Sequence, residues 1–157
     1  PRFSATEYFI PEVSRAGADA QPVTVLTWIG PQFVPAPSGR VFPLVGTVTP
    51  TLTAGTWVLA NPVWDQQLPV GNYHVVGMAA IVNDATACRL VFPGNAQFRP
   101  GVLVDDAYGD LKINDPFRMG AFGLFGTFSF NSMPQIEVLG HTAGAEATTV
   151  ILDLVKA

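Results

Sequence analysis

The stretch Gly120-Ala-Phe-Gly-Leu-Phe-Gly-Thr-Phe-Ser-Phe130 is the part of this sequence that says most about the fold. Successive side chains of a β-strand face opposite sides of its sheet. With that period, one face of the stretch is aromatic and the other is small, with Phe125 as its one large member. We therefore predict a long central strand with a second layer over its aromatic face. The aromatic face comprises Phe122, Leu124, Phe128 and Phe130, and the small face Ala121, Gly123, Thr127 and Ser129.

The composition predicts a single domain that associates with other subunits. A chain of 157 residues is the size of one domain and can bury a substantial core. Its hydrophobic fraction is 48% and its charged fraction 13%, against a usual charged share of about 25%. So little charge favours surface that is buried against another subunit. The alternative is a compact β protein with a neutral Ser, Thr and Gly surface.

The distribution of charge argues against several classes of partner. The formal net charge is −4, and the eight basic residues are scattered along the chain. Without a basic stripe, we expect no direct nucleic-acid binding by the folded body; Arg2 and Arg15 add little. No apolar run reaches the ~20 residues that span a membrane, and the first residues lack a signal-peptide pattern. We therefore expect no membrane span and synthesis in the cytoplasm.

Short strands separated by turn residues are predicted along most of the chain. The two longest elsewhere are residues 72–82 and 148–155, and 72–92 is predicted to form a hairpin. Tyr73, Val75, Ala79 and Ile81 are expected on one face of 72–82, and Val76, Met78, Ala80 and Val82 on the other. Pro43 makes residues 42–48 an edge strand, or one that starts at Leu44. Further strands are predicted at residues 23–29, 56–59, 88–92, 101–104, 111–113 and 135–139.

These strands predict an all-β, antiparallel β-sandwich. No window shows a sustained helical period, and Pro and Gly are spread too evenly for long helices. About eight strands in one domain indicate a jelly roll. An immunoglobulin-like sandwich is the second choice, but it usually brings a pair of cysteines, and Cys88 is alone. Residues 1–20 are predicted to be an extended N-terminal arm, or a frayed terminus, and residues 21–157 the sandwich domain.

No catalytic or metal-binding motif stands out in the sequence. No serine lies in a G-x-S-x-G turn, and His74 and His141 are the two histidines. We expect His74 to be a strand residue that is bonded to a neighbour, and Cys88 a small buried apolar residue. An N-terminal proline such as Pro1 can be a catalytic base, as in tautomerases, but those proteins are built on βαβ units, which the pattern here lacks. The sequence therefore predicts no enzyme, no catalytic residue, no metal and no cofactor.

Two other groups of residues are candidate sites. Residues 105–115 hold four carboxylates and Asn114, which are oxygen ligands that Ca²⁺ prefers. Their spacing does not match a calcium loop, so a solvated loop is the favoured interpretation. Trp28, Trp57 and Trp64 could stack on a sugar or a base, but their apolar neighbours favour packing in the core or an interface.

The chain resembles single jelly-roll coat proteins of icosahedral viruses. The resemblance lies in the arm at residues 1–20, the apolar strands between Pro, Gly and Asn turns, and the few charges. It implies that the sandwich tiles a shell, that the arm crosses to a neighbour and that residues 94–119 line a contact. No functional residue of the family can be transferred, because no motif matches.

The predicted function is therefore structural. We expect a subunit of a virus particle, either a capsid or a capsid-cementing protein, that is a homo-oligomer and binds copies of itself and other capsid subunits in the virion. Val91, Leu139, Ile151 and Val155 are expected to supply apolar contact surface. The alternative is a trimeric jelly-roll module that binds a receptor or a glycan. An enzyme on a β scaffold is the third possibility.

Overall fold

The computed structural model describes residues 34–94, 98–105 and 115–157. In these ranges the regular elements are β-strands and one 3-10 turn at Asp115–Phe117, which confirms the all-β prediction. The strands are β1 (Phe42–Val48), β2 (Thr51–Leu52), β3 (Trp57–Ala60), β4 (Val63–Trp64), β5 (Asn72–Ile81), β6 (Ala85–Val91), β7 (Gly101–Leu103), β8 (Gly126–Ser129), β9 (Gln135–Gly140), β10 (Gly144–Ala145) and β11 (Thr148–Lys156).

The strands form two main sheets. One has five strands in the order β4-β1-β11-β5-β8, and the other has four in the order β3-β9-β6-β7. A short third pair joins β10 to β2. Every pair of named strands is antiparallel, and the two sheets enclose a common apolar core. The predicted antiparallel sandwich is therefore confirmed.

The strand pairs are nested in the chain. β1 pairs with β11, β2 with β10, β3 with β9, β5 with β8, and β6 with β7. Counted inward from the two ends, the strands of the first half therefore pair in turn with those of the second half. The chain from β1 to β11 is one long antiparallel ribbon that turns back between β6 and β7. The pairs β5–β11 and β6–β9 then join its parts into two sheets.

The core lies between the two sheets. It contains an aromatic group in which Tyr73 lies 6.0 Å from Phe42 and 5.8 Å from Phe128, centroid to centroid. The hydroxyl of Tyr73 donates to the carbonyl of Pro69 at 2.7 Å, so the one polar atom of the group is satisfied. Fully buried side chains from both sheets fill the rest: Leu44, Leu52, Val75, Met78, Leu90, Val102, Phe125, Ile136, Val138, Leu152 and Leu154.

Pro43 lies within β1, and its backbone nitrogen, which has no hydrogen to donate, points to the side of β1 away from β11, where no strand pairs with it. β1 pairs with β11 along its whole length, but β4 reaches only Gly46 and Thr47 on the other side. Beyond β4, Asp65 takes over: its Oδ1 accepts from the N–H of Val45 at 2.9 Å. This half of β1 has the edge character that Pro43 predicts.

The predicted hairpin at residues 72–92 is wrong. The strands β5 and β6 exist nearly as predicted, but β5 belongs to the five-stranded sheet and β6 to the four-stranded sheet. The connection at residues 82–84 therefore crosses from one sheet to the other. Its crossing point is fixed by Asp105, whose N–H donates to Ala80 O at 2.7 Å and whose O accepts from Val82 N at 3.1 Å. A short connection can form either a hairpin within one sheet or a crossing between two sheets, and the sequence alone does not distinguish the two.

The predicted faces of β5 are also wrong in one half. The register with β11 shifts between Asp153 and Leu154, so Val76 is an extra residue, a β-bulge. A single inserted residue exchanges the two faces of a strand. The core face consequently changes from odd to even numbers: Tyr73, Val75, Met78, Ala80 and Val82.

Gly120-to-Phe130 is not the long central strand that its alternation predicts. Its strand is β8, four residues long, and β8 lies at an edge of the five-stranded sheet. Gly120 and Gly123 have φ of 81° and 83°, which turns the chain before the strand begins. Phe125 and Phe128 are buried, whereas Phe122 is 38% exposed. The glycines interrupt the strand that the phenylalanines suggest.

The strands β9 and β11 bury alternate residues, as the alternation in their sequences indicates. In β9, Ile136 and Val138 enter the core, and in β11 Val150, Leu152 and Leu154 do so. The expectation that Val155 supplies apolar contact surface is wrong: it is only 2% exposed, and Gly39 packs directly against it. Val91, Leu139 and Ile151 are half-buried. The predictions for residues 1–20, 23–29 and 111–113 lie outside the described residues.

Candidate functional site

Each of the two histidines makes a hydrogen bond to a neighbouring segment of the fold. His74 in β5 makes a 2.9 Å hydrogen bond through Nδ1 to Thr127 Oγ1 on β8, as expected of a strand histidine bonded to a neighbour. His141 follows β9, and its backbone N–H donates to Asp84 O at 2.8 Å. Within the described ranges, no three His, Cys, Asp or Glu side chains are grouped as metal ligands. Residues 106–114 of the acidic stretch lie outside those ranges.

Cys88 on β6 is buried in the core together with Leu90 and Phe92, as predicted for a small apolar residue. Burial raises the pKa of its thiol from 9.0 to about 12. The thiolate is the reactive form of cysteine, and the apolar core disfavours it. Cys88 therefore serves packing in the folded protein.

Reagents for thiols are expected to label Cys88 only through unfolding, because the folded thiol is buried and protonated. In addition, stability should fall between about pH 9 and pH 12: the unfolded thiol ionises there while the folded thiol keeps its proton. Chromogenic labelling with and without denaturant, and chemical unfolding across that pH range, measure the two effects. Cys88→Ala is the control that should lose this part of the pH dependence. Rapid labelling without denaturant would contradict the assignment.

A compact ionic cluster lies on the outer face of the four-stranded sheet. Glu137 on β9 is 9% exposed, and both of its carboxylate oxygens accept from Arg99 Nη1 at 2.7 Å. Arg89 on β6, directly opposite Glu137, donates its Nε to Oε2 at 2.5 Å. The two arginines share one carboxylate, and the charge-assisted bonds fix both guanidinium groups.

Trp57 extends this cluster toward the edge of the sheet. The guanidinium carbon of Arg89 lies 4.0 Å from the centroid of the indole ring, which is a cation–π contact. The indole ring of Trp57 is half-buried beneath Arg89, so its role is packing. This is the interpretation that the sequence favoured. Because the carboxylate of Glu137 already accepts hydrogen bonds from two arginines, the cluster is suited to fixing the positions of these charged side chains on the surface. Proton transfer would require breaking these bonds.

A second ionic pair fixes a segment over the other sheet. Asp153 on β11 is 1% exposed and accepts from Arg118 twice, at 2.7 and 2.8 Å. Its Oδ2 also accepts the N–H of Met119 at 2.8 Å. Residues 115–124, here called the strap, thus cross the outside of the five-stranded sheet. Gly77 of β5 lies beneath it, where a Cβ would come 2.9 Å from Met119 N.

Several large apolar side chains remain exposed. Met119 is 67% exposed and has φ of 55°, an uncommon conformation for a residue other than glycine. Leu59 lies on the edge strand β3, and Val63 on the edge strand β4 of the other sheet. The exposed fractions are Val63 75%, Val70 74%, Leu59 52%, Val34 47% and Phe98 44%. These side chains are the feature of the described residues that most resembles an interface.

No protein-family model matches the chain, and no curated protein or solved structure is significantly similar to it. The described ranges also contain no helix with the length and apolar character that crossing a bilayer requires. Function must therefore be argued from the fold and its surfaces.

Sequence reasoning missed both ionic groups. The partners of Glu137, which are Arg89 and Arg99, are 48 and 38 residues away along the chain. The available clue was a charged residue at an outer position of each of two apolar strands, Arg89 on β6 and Glu137 on β9. Such a clue becomes a contact only when strand order is known.

Proposed function

We propose that this sandwich is a jelly roll and that the protein is a structural subunit of a virus particle, either a capsid or a capsid-cementing protein. It acts in the virion by binding copies of itself and other shell proteins. The observation that carries the proposal is the set of exposed apolar side chains at the sheet edges and on the strap. A homo-oligomer would bury them.

The nested strand pairs support the jelly-roll assignment. Of the eleven strands in the described ranges, β2, β4 and β10 are only two residues long. The other eight divide equally: β1, β5, β8 and β11 in one sheet and β3, β6, β7 and β9 in the other. Two four-stranded sheets made by rolling one long antiparallel ribbon match the eight-stranded jelly roll with its two Greek keys.

The surface supports self-association. Val63 and Val70 expose about three quarters of their area, 75% and 74%, although each would gain roughly 1.5–3 kcal/mol from full burial. The low charged fraction of 13% adds little repulsion between copies. Symmetric assembly would also cover sheet edges that are otherwise open to uncontrolled pairing.

The purified protein is expected to form stable oligomers or particles in light scattering and negative-stain microscopy. Val63→Lys combined with Val70→Lys should shift this population toward monomer, because each charge would have to be desolvated in an interface. Thr53→Lys combined with Asn131→Lys adds the same charge at exposed polar positions and is the matched control. A wild-type protein that stays monomeric at high concentration would overturn the proposal.

The same measurements separate the alternative, a trimeric module that recognises a receptor or a glycan. A discrete trimer that binds glycans on an array would favour that module over a shell subunit. The contact between Trp57 and Arg89 limits stacking on that indole, so a sugar would need another platform.

A further inference from the structure

The strand β8 has an open hydrogen-bonding side among the described residues. It lies at the edge of the five-stranded sheet and pairs there with β5. The N–H of Phe130, directly after β8, donates to Gly71 O, directly before β5, at 3.0 Å. Strand alternation therefore directs the backbone groups of Thr127 and Ser129 away from β5. No described strand pairs with Thr127 on that side. Because β8 carries no charge and no proline, this edge lacks the usual protection against pairing with another strand.

The first described residue, Val34, lies on this open side. Just before β8, the N–H of Phe125 donates to Val75 O in β5 at 2.8 Å. The N–H of the preceding residue, Leu124, donates to Val34 O at 2.9 Å. Neighbouring N–H groups of an extended chain point in opposite directions, so Val34 lies on the side that faces away from β5. The chain is therefore already bonded to the segment that leads into β8.

The direction of the chain at Val34 follows from its next contact. Val34 lies beside Leu124, at the end of the strap. A Cβ on Gly120, earlier in the strap, would lie 2.9 Å from the Cβ of Ala36. The chain from Val34 to Ala36 therefore runs antiparallel to the strap. Followed backwards from Val34, the same line leads along the open side of β8.

The strand predicted at residues 23–29 is within reach of this edge. Its sequence is uncharged and rich in the β-branched and aromatic residues that strands favour. Ile29 is five residues before Val34, and five residues of extended chain span at most about 18 Å. The far end of β8 is about 17 Å along the strand from Leu124, which Val34 contacts. Gly30-Pro31 is a turn signal that shortens the reach. Along this line, Ile29 therefore falls beside β8.

We propose that residues 23–29 pair antiparallel with β8 of the same chain and form a sixth strand of the five-stranded sheet. The N–H and C=O groups of Thr127 then enter a ladder, and β8 becomes an inner strand. The antiparallel direction is the one that the chain already has between Val34 and Ala36. The pairing itself does not depend on the proposed function.

The added strand has two consequences for assembly, and these rest on the proposed function. It closes the β8 edge within the subunit, so contacts between copies use other surfaces. The antiparallel direction also brings Val23 to the end of β8 that leads into the following turn, where Ser132 N donates to Ser129 O. Residues 1–20 then leave the sandwich at that end, and the arm reaches a neighbouring copy from there.

Hydrogen exchange of the wild-type protein tests whether β8 is an inner strand. The N–H of Phe128 points to β5, as that of Phe130 does, and serves as the bonded reference. The amide of Thr127 should exchange within about tenfold of the rate of Phe128, because both are then held in ladders. On an open edge the Thr127 amide would bond to water instead. Exchange at Thr127 that is faster than this limit would overturn the proposal.

Disulfide scanning identifies the segment that pairs with β8. Thr127→Cys is combined with one further cysteine, placed in turn at each position from 24 to 29, under mild oxidation. Facing residues of a ladder have Cα atoms about 5.5 Å apart, within disulfide range, whereas their neighbours along the strand point to the other face. We expect one position to form a disulfide within the chain, with about tenfold lower yield at both adjacent positions. The native Cys88 is buried and does not compete.

Thr47→Cys is the matched control for the scan. Thr47 is also an exposed threonine of the same sheet, but its strand β1 is separated from β8 by β11 and β5. The same scan against position 47 should give no linked product. No linked position with Thr127→Cys, or equal yields with Thr127→Cys and Thr47→Cys, would overturn the proposal.

The remaining outcomes separate this inference from the proposed function. Disulfide-linked dimer as the main product of the scan would assign the paired segment to a second copy and overturn the pairing within one chain. If the pairing fails but the wild-type protein assembles, the proposed function stands. If the pairing holds and the wild-type protein stays monomeric, the strand is right and the proposed function is wrong. Should Thr127→Cys fail to fold, hydrogen exchange of the wild-type protein decides.

Discussion

Phe125→Ala is expected to lower the free energy of unfolding by about 3–5 kcal/mol, the usual cost of removing a buried phenylalanine. Phe125 is 0% exposed and lies in the core between the two sheets. The substitution removes its apolar contacts and leaves a cavity that the surrounding strands close only in part. In a domain of this size, the melting temperature should fall by roughly 6–20 °C. Chemical unfolding followed by tryptophan fluorescence measures the effect.

Phe122→Ala is the matched control for this prediction. It makes the same chemical change three residues earlier, but Phe122 is 38% exposed and packs on Phe117, with 4.8 Å between ring centroids. We expect a loss of about 1 kcal/mol or less. Equal losses for the two variants would contradict the placement of Phe125 inside and Phe122 outside. They would instead favour the alternation in which Phe122 faces the core.

Asp153→Ala is expected to lower the free energy of unfolding by about 2–3 kcal/mol. Removing one member of a buried ion pair typically costs about 3–5 kcal/mol, because the other charge stays buried. Arg118 is 28% exposed and recovers some hydration, which reduces the expected value. The N–H of Met119 also loses its acceptor. Chemical unfolding gives the loss, and limited proteolysis should show earlier cleavage within the strap.

Two comparisons isolate the ion pair in this prediction. Asp65→Ala also removes an aspartate that accepts a backbone N–H, from Val45, but Asp65 is exposed, and the cost should stay below about 1 kcal/mol. A double-mutant cycle with Arg118→Ala then measures the coupling between Arg118 and Asp153. Coupling near zero would mean that the strap is held by packing and not by the ion pair.

The fold class could be predicted from the sequence because it depends on local patterns. Strands with one buried face show alternating apolar and polar residues, as β9 and β11 do. The even spread of Pro and Gly excludes long helices. Pro43 likewise indicates the half of β1 that has no partner strand on one side. These features need only the residues of the strand itself and its immediate neighbours.

Strand partners and strand faces could not be predicted with the same success. One bulged residue, Val76, exchanged the faces of half of β5 without leaving a trace in the composition. The stretch from Gly120 to Phe130 alternates well, yet positive φ at Gly120 and Gly123 turns half of it into the strap. Alternation reports which residues are apolar, whereas backbone turns and bulges decide where those residues point.

The ionic groups were out of reach for a related reason. Arg118 and Asp153 are 35 residues apart along the chain and belong to the strap and to β11. Each charged residue alone reads as a solvated surface position, which is the usual outcome. Only the path of the strap across the sheet makes Asp153 one of the most buried polar residues of the described ranges.

The pairing of β1 with β11 has a consequence for synthesis on the ribosome. Phe42 meets Leu154, which is translated 112 positions later, so the middle of the five-stranded sheet stays open for roughly 6–22 s at 5–20 residues per second. During that interval Leu44 and the neighbouring apolar side chains of β1 have no cover. The nascent chain therefore keeps this part of its apolar core exposed until β11 has left the ribosome, and chaperones are expected to bind it during that interval.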